Sequence, residues 1–121
     1  MKELQMGAVE TRFADIIWQN APISSTALSK QSEELLGWKK STTYTVLKRL
    51  CEKGIFVNTG GTVTARISKE DFYALQSEQF VEETFEGSLP AFLAAFTARK
   101  SLTKEEVAAL RCMIDEYGEE A

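Results

Sequence analysis

Apolar and polar positions in the first third of the chain repeat with the period of helices. The opening set recurs three or four residues apart: Met6, Val9, Phe13, Ile16 and Ile17. This spacing predicts an amphipathic helix over residues 7–19. A second helix is predicted over residues 24–36, because Ser24 or Ser25 can cap its start and Gly37 follows its end.

A third helix is predicted over residues 41–53, and it has two distinct sides when the residues are placed about 100° apart around its axis. The largely apolar side holds Thr43, Val46, Leu47, Leu50 and Cys51. The opposite, polar side holds Ser41, Thr42, Thr45, Lys48 and Arg49. Such a helix can pack against a core and still present a polar surface.

Two runs rich in β-branched residues follow Gly54, at 55–57 and 62–67. The turn residues Asn58-Thr59-Gly60-Gly61 join them, which predicts a β-hairpin. Three helices followed directly by a hairpin give the order of a winged helix-turn-helix. We therefore predict a mainly α fold with a small hairpin wing, and a DNA-binding domain over residues 1–69.

Three more helices are predicted in the remainder, one beginning near Ser68, one after Gly87-Ser88 and one after the capping box of Thr103 and Glu106. Their large apolar side chains are too many for short helices to bury alone, so residues 70–121 are predicted to form a helical dimerisation domain. A ligand pocket is the weaker alternative for the phenylalanines. The predicted dimer contacts are Phe72, Phe80, Phe85, Leu89, Phe92, Leu93, Phe96, Val107, Leu110 and Ile114.

The distribution of charge changes near the same boundary, after residue 68. The whole chain of 121 residues has a net charge of −4. Residues 1–68 hold nine basic and six acidic side chains, a net of +3, whereas the rest holds five basic and twelve acidic ones, a net of −7. The modestly basic residues 1–68 can face DNA, and the acidic remainder should not.

Composition also argues against several classes of function. The chain has no histidine, so the usual general base and the commonest metal ligand are missing, and we predict neither an enzyme nor a cofactor. Cys51 and Cys112 are expected to be buried free thiols rather than a disulfide. No apolar run could cross a bilayer, and Met1–Gln5 does not begin a secretion signal, so a cytoplasmic location away from membranes is expected.

The segment from Trp38 to Gly54 resembles the signature of the penicillinase-repressor (BlaI/MecI/CopY) family, a tryptophan followed by TxxTxLxRLxxKG. The residues in register are Thr42, Thr45, Leu47, Arg49, Leu50, Lys53 and Gly54. Leu4, Glu10 and Ile17-Trp18 are similar to the family's opening helix. The resemblance implies a repressor that binds dyad-symmetric operators as a homodimer, with the third helix in the major groove and the C-terminal helices joining the subunits.

The chain departs from the family pattern at four places. Lys39-Lys40 replaces a Ser-Pro pair, and Arg66-Ile67-Ser68 replaces an aromatic-x-Pro ending of the wing. Ala95-Phe96 stands where induced members are cut at Asn-Phe, so a sensor or protease partner is left open. Cys112 alone stands where copper-responsive members have Cys-x-Cys pairs, so a copper-sensing role is not expected.

The polar side of the third helix, the charge division and the family resemblance together give the candidate DNA contacts. They are Lys39, Lys40, Ser41, Thr42, Thr45, Lys48, Arg49 and Arg66. Threonine and arginine side chains can reach base edges or phosphates, and the lysines are natural phosphate partners. Two alternatives stay open: a merely solvated helix face, and a winged-helix module whose acidic tail binds a basic protein instead of DNA.

Overall fold

A computed structural model describes residues 6–118. The residues before and after, including Leu4 of the family pattern and Lys2 of the basic count, lie outside the described part. Within it, residues up to Gln79 form one compact unit, the head, and residues from Phe80 onward form a second, the tail.

Three helices open the head: α1 (Ala8–Asn20), α2 (Ser25–Leu36) and α3 (Lys40–Glu52). The hydroxyl of Ser24 accepts a hydrogen bond from the backbone N–H of Ala27 and so caps α2. Gly37 ends α2 with a φ of 69°, a left-handed conformation that glycine adopts without a steric penalty. Only Gly37, Trp38 and Lys39 separate α2 from α3, the short glycine-containing turn of a helix-turn-helix.

A small antiparallel sheet completes the head, with strand order β1-β3-β2. Its strands are β1 (Ile23–Ser24), β2 (Phe56–Thr59) and β3 (Thr62–Ala65). Gly60 and Gly61 join β2 to β3, and both have positive φ, as a tight two-residue hairpin turn requires. The predicted hairpin is therefore confirmed, together with the winged helix-turn-helix fold. The two-residue strand β1, which pairs Ile23 with Val63, was not predicted.

Within residues 6–118, the hydrophobic core lies entirely in the head. Its buried apolar residues are Phe13, Ala14, Ile16, Ile17, Ile23, Leu28, Val46, Leu47, Leu50, Ile55, Phe56, Val63 and Phe72. Both tryptophans pack against it. The Trp38 ring lies 5.0 Å from that of Phe13, and the Trp18 ring lies 5.3 Å from that of Phe56. The indole N–H of Trp18 donates to the carbonyl of Ile67 at 3.0 Å.

The first turns of α4 (Lys69–Phe85) belong to the head rather than to the tail. Phe72 is fully buried there, 5.6 Å from the ring of Trp18, and Lys69 pairs with Asp15 at 2.8 Å. The unit boundary falls after Gln79, whereas the sequence suggested residue 69. The prediction of Phe72 as a dimer contact is wrong, because the head leaves it no surface to offer a second chain.

The tail continues through α5 (Leu89–Arg99) and α6 (Lys104–Tyr117), so the three predicted helices are confirmed. At the start of α6, the N–H of Glu106 donates to the Thr103 hydroxyl at 3.0 Å, and the N–H of Thr103 donates to the Glu106 carboxylate at 2.8 Å. This is the predicted capping box. None of the helices in residues 6–118 is long and apolar enough to pass through a bilayer.

Candidate nucleic-acid interface

Helix α3 has one buried side and one exposed side. Thr43, Val46, Leu47 and Leu50 are buried and close the core of the head. The predicted DNA contacts on the helix are all exposed: Ser41, Thr42, Thr45, Lys48 and Arg49. Since the buried side fixes the rotation of α3 about its axis, the polar side is held toward solvent by the packing of the core.

The start of α3 combines positive charge with uncapped backbone. Lys39 occupies the N-cap position, and its side chain makes no capping hydrogen bond, as the loss of the family's Ser-Pro pair predicts. The Nζ atom of Lys40 lies 5.9 Å above the ring of Tyr44, and the Tyr44 hydroxyl donates to that of Ser25 at 3.2 Å. Unsatisfied N–H groups at a helix start favour anions, and here two exposed lysines add to that effect.

Thr45 lies in the middle of the exposed side. Its hydroxyl donates to the carbonyl of Ser41 at 2.9 Å, which fixes the hydroxyl group against the helix. The oxygen can still accept a hydrogen bond, and the methyl group can meet a thymine methyl. One turn before it, Thr42 is exposed as well.

Arg49, at the far end of the same side, is about half exposed and pairs with an acid on another helix. Its Nη1 atom lies 3.7 Å from Oε1 of Glu10, and its side chain is 51% exposed. Lys53 reaches the other oxygen of Glu10 at 3.9 Å. The exposed Glu52 also lies on this side, two turns after Thr45, and lowers the positive charge there. Neither acid was predicted to lie beside the polar side of α3, although the spacing of 45 and 52 indicates the second one.

The wing contributes little charge. Arg66 is exposed one residue beyond β3, and its backbone N–H donates to the carbonyl of Ile55 at 2.9 Å. The other exposed residues of the hairpin are neutral: Asn58, Thr59, Gly60, Thr62, Thr64 and Ala65. Arg66 is therefore the one wing residue that can form an ion pair with a phosphate.

In the tail, the apolar side chains that the sequence assigned to a dimer are exposed or half-buried: Phe80, Leu89, Phe96 and Ile114 are exposed, and Phe85, Phe92, Leu93, Val107 and Leu110 are half-buried. No residue from Ala74 to Gly118 is buried. Leu89 is 56% exposed and Ile114 is 65% exposed. The phenylalanines contact one another within the chain: the Phe92 ring lies 5.7 Å from that of Phe85 and 6.1 Å from that of Phe80. Yet half of the Phe80 side chain stays in solvent.

The two thiols differ from each other and, in part, from the prediction. Both are free, as expected. Cys51 is half-buried, and burial raises the pKa of its thiol above the ordinary value despite a hydrogen bond with the backbone of Asn58. Cys112 is exposed on α6, so the prediction of a buried thiol is wrong there. In residues 6–118, no group of three or more acidic, cysteine or histidine side chains could hold a metal ion.

Comparison with known proteins matches residues 6–116 to the penicillinase repressor family. The chain is 25% identical over 122 residues to a penicillinase repressor from Bacillus licheniformis, covering 97% of this chain and 95% of the relative. It is 20% identical over 118 residues to the methicillin resistance regulatory protein MecI from Staphylococcus aureus (strain Mu50 / ATCC 700699), covering 94% and 96%. The similarity extends over the head and the tail alike.

Proposed function

Because this chain belongs to the penicillinase repressor family, we propose that it represses transcription as a homodimer, with α3 of each copy in the major groove of a dyad-symmetric operator. Family membership supports a DNA-binding transcriptional repressor rather than an enzyme. From the geometry we propose three things: that α3 enters the major groove, which residues contact DNA, and that two copies form a dimer.

The observation that carries the proposal is the division of α3 into a buried and an exposed side. A helix-turn-helix reads DNA with the exposed side of its second helix, whose first turns approach the base edges. Here Ser41, Thr42 and Thr45 occupy those turns, and all three are exposed. Lys39 and Lys40 flank them with charge that phosphates attract.

The surface of the tail supports the homodimer. Large apolar side chains that stay exposed over several helices indicate a partner surface, and a second copy offers the same surface in return. A dimer also compensates for the weak DNA affinity expected of a single copy, since residues 1–68 carry a net charge of only +3. When one head is bound, the other engages its half-site as an intramolecular event, which raises the overall affinity.

Arg49→Ala tests the proposed DNA surface. The probe is a duplex that the purified protein itself selects from a random-sequence pool, and binding is measured by mobility shift at fixed salt. Loss of an arginine contact to a base or phosphate should weaken binding by about tenfold. Arg99→Ala is the matched control, because it removes the same charge from an exposed position in the tail. Equal affinities for the two variants would contradict the proposal.

The protein-interaction alternative makes a different prediction about salt. If α3 binds phosphates, the logarithm of the binding constant should fall steeply and linearly with the logarithm of salt concentration. Failure to select any duplex, even at low salt, would favour a winged helix that binds another protein.

A further inference from the structure

We propose that Glu10 is a positioning residue for DNA binding: its carboxylate, on α1, holds the guanidinium of Arg49 on the DNA-facing side of α3. This inference rests on the proposed function, since it assigns Arg49 to that surface. The role belongs to a residue outside the helix-turn-helix, and Glu10 itself is not expected to touch DNA.

The geometry joins one carboxylate to two successive turns of α3. Glu10 Oε1 lies 3.7 Å from Nη1 of Arg49, and Glu10 Oε2 lies 3.9 Å from Nζ of Lys53. The Glu10 side chain is only 24% exposed, whereas that of Arg49 is 51% exposed. A largely enclosed acid thus anchors a more exposed base. At these distances the contacts are ion pairs rather than close hydrogen bonds, so the guanidinium can still direct N–H groups to DNA.

Lys53 has a separate part in this arrangement. It lies one turn after Arg49, and its side chain is 19% exposed, less than that of Glu10. With Lys53 in place, Glu10 keeps a cation beside it while Arg49 engages a phosphate or a guanine. The carboxylate is then never left as an unbalanced negative charge near the DNA backbone.

Positioning should raise affinity because a long, flexible arginine loses rotamer freedom when it binds. An arginine already held near its bound orientation loses less. The direction of the change in DNA affinity when Glu10 is removed distinguishes two roles for this residue. If Glu10 acted only through its charge, removing it should strengthen DNA binding, because a negative charge close to phosphates is repulsive. If Glu10 positions Arg49, removing it should weaken binding.

The test is a double-mutant cycle with Glu10→Gln, Arg49→Ala and the double variant, using the selected duplex and fluorescence anisotropy. Glu10→Gln should weaken binding about threefold to fivefold, the range of a partly exposed ion pair. In the Arg49→Ala background the same substitution should not weaken binding. Glu34→Gln is the matched control, because it removes the same charge from an exposed site on α2 and should not weaken binding.

Three outcomes would overturn the proposal: stronger binding by Glu10→Gln, an unchanged affinity, or an equal loss with and without Arg49. The last would indicate a merely structural role. Failure of the proposed function is distinguishable, because then Arg49→Ala itself would bind as the unchanged protein does.

A second measurement needs no variant: in the DNA-free protein, added salt should screen the pair, and the Arg49 Nε–Hε group should become more mobile by NMR relaxation. Mobility that does not respond to salt would also contradict the proposal.

Discussion

Thr42 and Thr43 are neighbours in α3 and have opposite surroundings. Thr42 is exposed on the proposed DNA surface, while Thr43 is fully buried in the head. The Oγ1 atom of Thr43 has no hydrogen-bond partner. A buried hydroxyl without a partner costs free energy that a methyl group of similar shape does not.

Thr43→Val should therefore stabilise the protein, by about 1 kcal/mol in the free energy of unfolding. The measurement is urea denaturation followed by circular dichroism, and DNA affinity should not change. Thr42→Val is the matched control, with unchanged stability and weaker binding to the selected duplex. Destabilisation by Thr43→Val would show that the hydroxyl has a partner, such as a buried water.

At this scale, sequence reasoning succeeded where the local pattern determines the environment. The exposed set on α3 follows from the helical period alone. The prediction failed for Phe72, because an apolar side chain near the boundary could pack in either unit, and the local sequence pattern does not determine which one. It also missed the pairing of Glu10 with Arg49, since residues 39 positions apart meet only after folding.

Helix α6 begins with a capping box. Thr103 and Glu106 satisfy each other's backbone N–H groups at its start. These hydrogen bonds lower the pKa of Glu106 below its ordinary value, the bond from the Thr103 backbone having the largest effect. The box therefore stabilises the folded tail at pH values above the carboxyl's unfolded pKa. That stabilisation is lost as the pH falls through the lower, folded pKa.

Thr103→Ala should remove about 1 kcal/mol from the stability of the tail. Hydrogen exchange at the first-turn amides of α6 measures this directly, and exchange there should become faster. Thr97→Ala is a suitable control, because the Thr97 hydroxyl donates within α5 to the carbonyl of Leu93 and caps no helix start. The same exchange rates in both variants would mean that the box does not hold the start of α6.

The elements also show the limit of prediction from local pattern. The hairpin was predictable because Gly60-Gly61 is a turn sequence with a specific backbone requirement. Strand β1 was not, because two residues show no period and its pairing with β3 joins positions 40 residues apart. The start of α3 was predicted one residue late, since neither Lys39 nor Lys40 is a typical cap.

For the whole molecule, the main feature is the contrast between a head with a closed core and a tail in which no residue up to Gly118 is buried. The charge division near residue 68 predicted two parts with different roles, not this difference in burial. The charge pattern did not predict the boundary between the two units, which falls after Gln79. The first turns of α4 pack in the head although this part of the sequence is already acidic. The dimer assigned to the tail stays a prediction of the sequence.

Ile114→Asp tests that dimer more cleanly than a change at the clustered phenylalanines would. Ile114 is 65% exposed, so a carboxylate there should leave the fold of one chain intact and disrupt contact with a second. Sedimentation should show monomers, with weaker binding to the selected duplex. Cys112→Asp is the matched control: Cys112 is exposed, and two residues along a helix point to nearly opposite sides, so this variant should stay dimeric. A dimer that survives Ile114→Asp would place the interface elsewhere.

The most direct test of the account is photo-cross-linking from α3 to DNA. A photoreactive amino acid replaces Thr45 in one sample and the exposed Glu33 of α2 in another, and both are bound to the selected duplex. If α3 reads the DNA, position 45 should cross-link to bases at two symmetric places, about one helical turn or a multiple of it apart, and position 33 should give few cross-links. Equal, low yields from both positions in samples that still bind the duplex would contradict the claim that α3 reads the DNA.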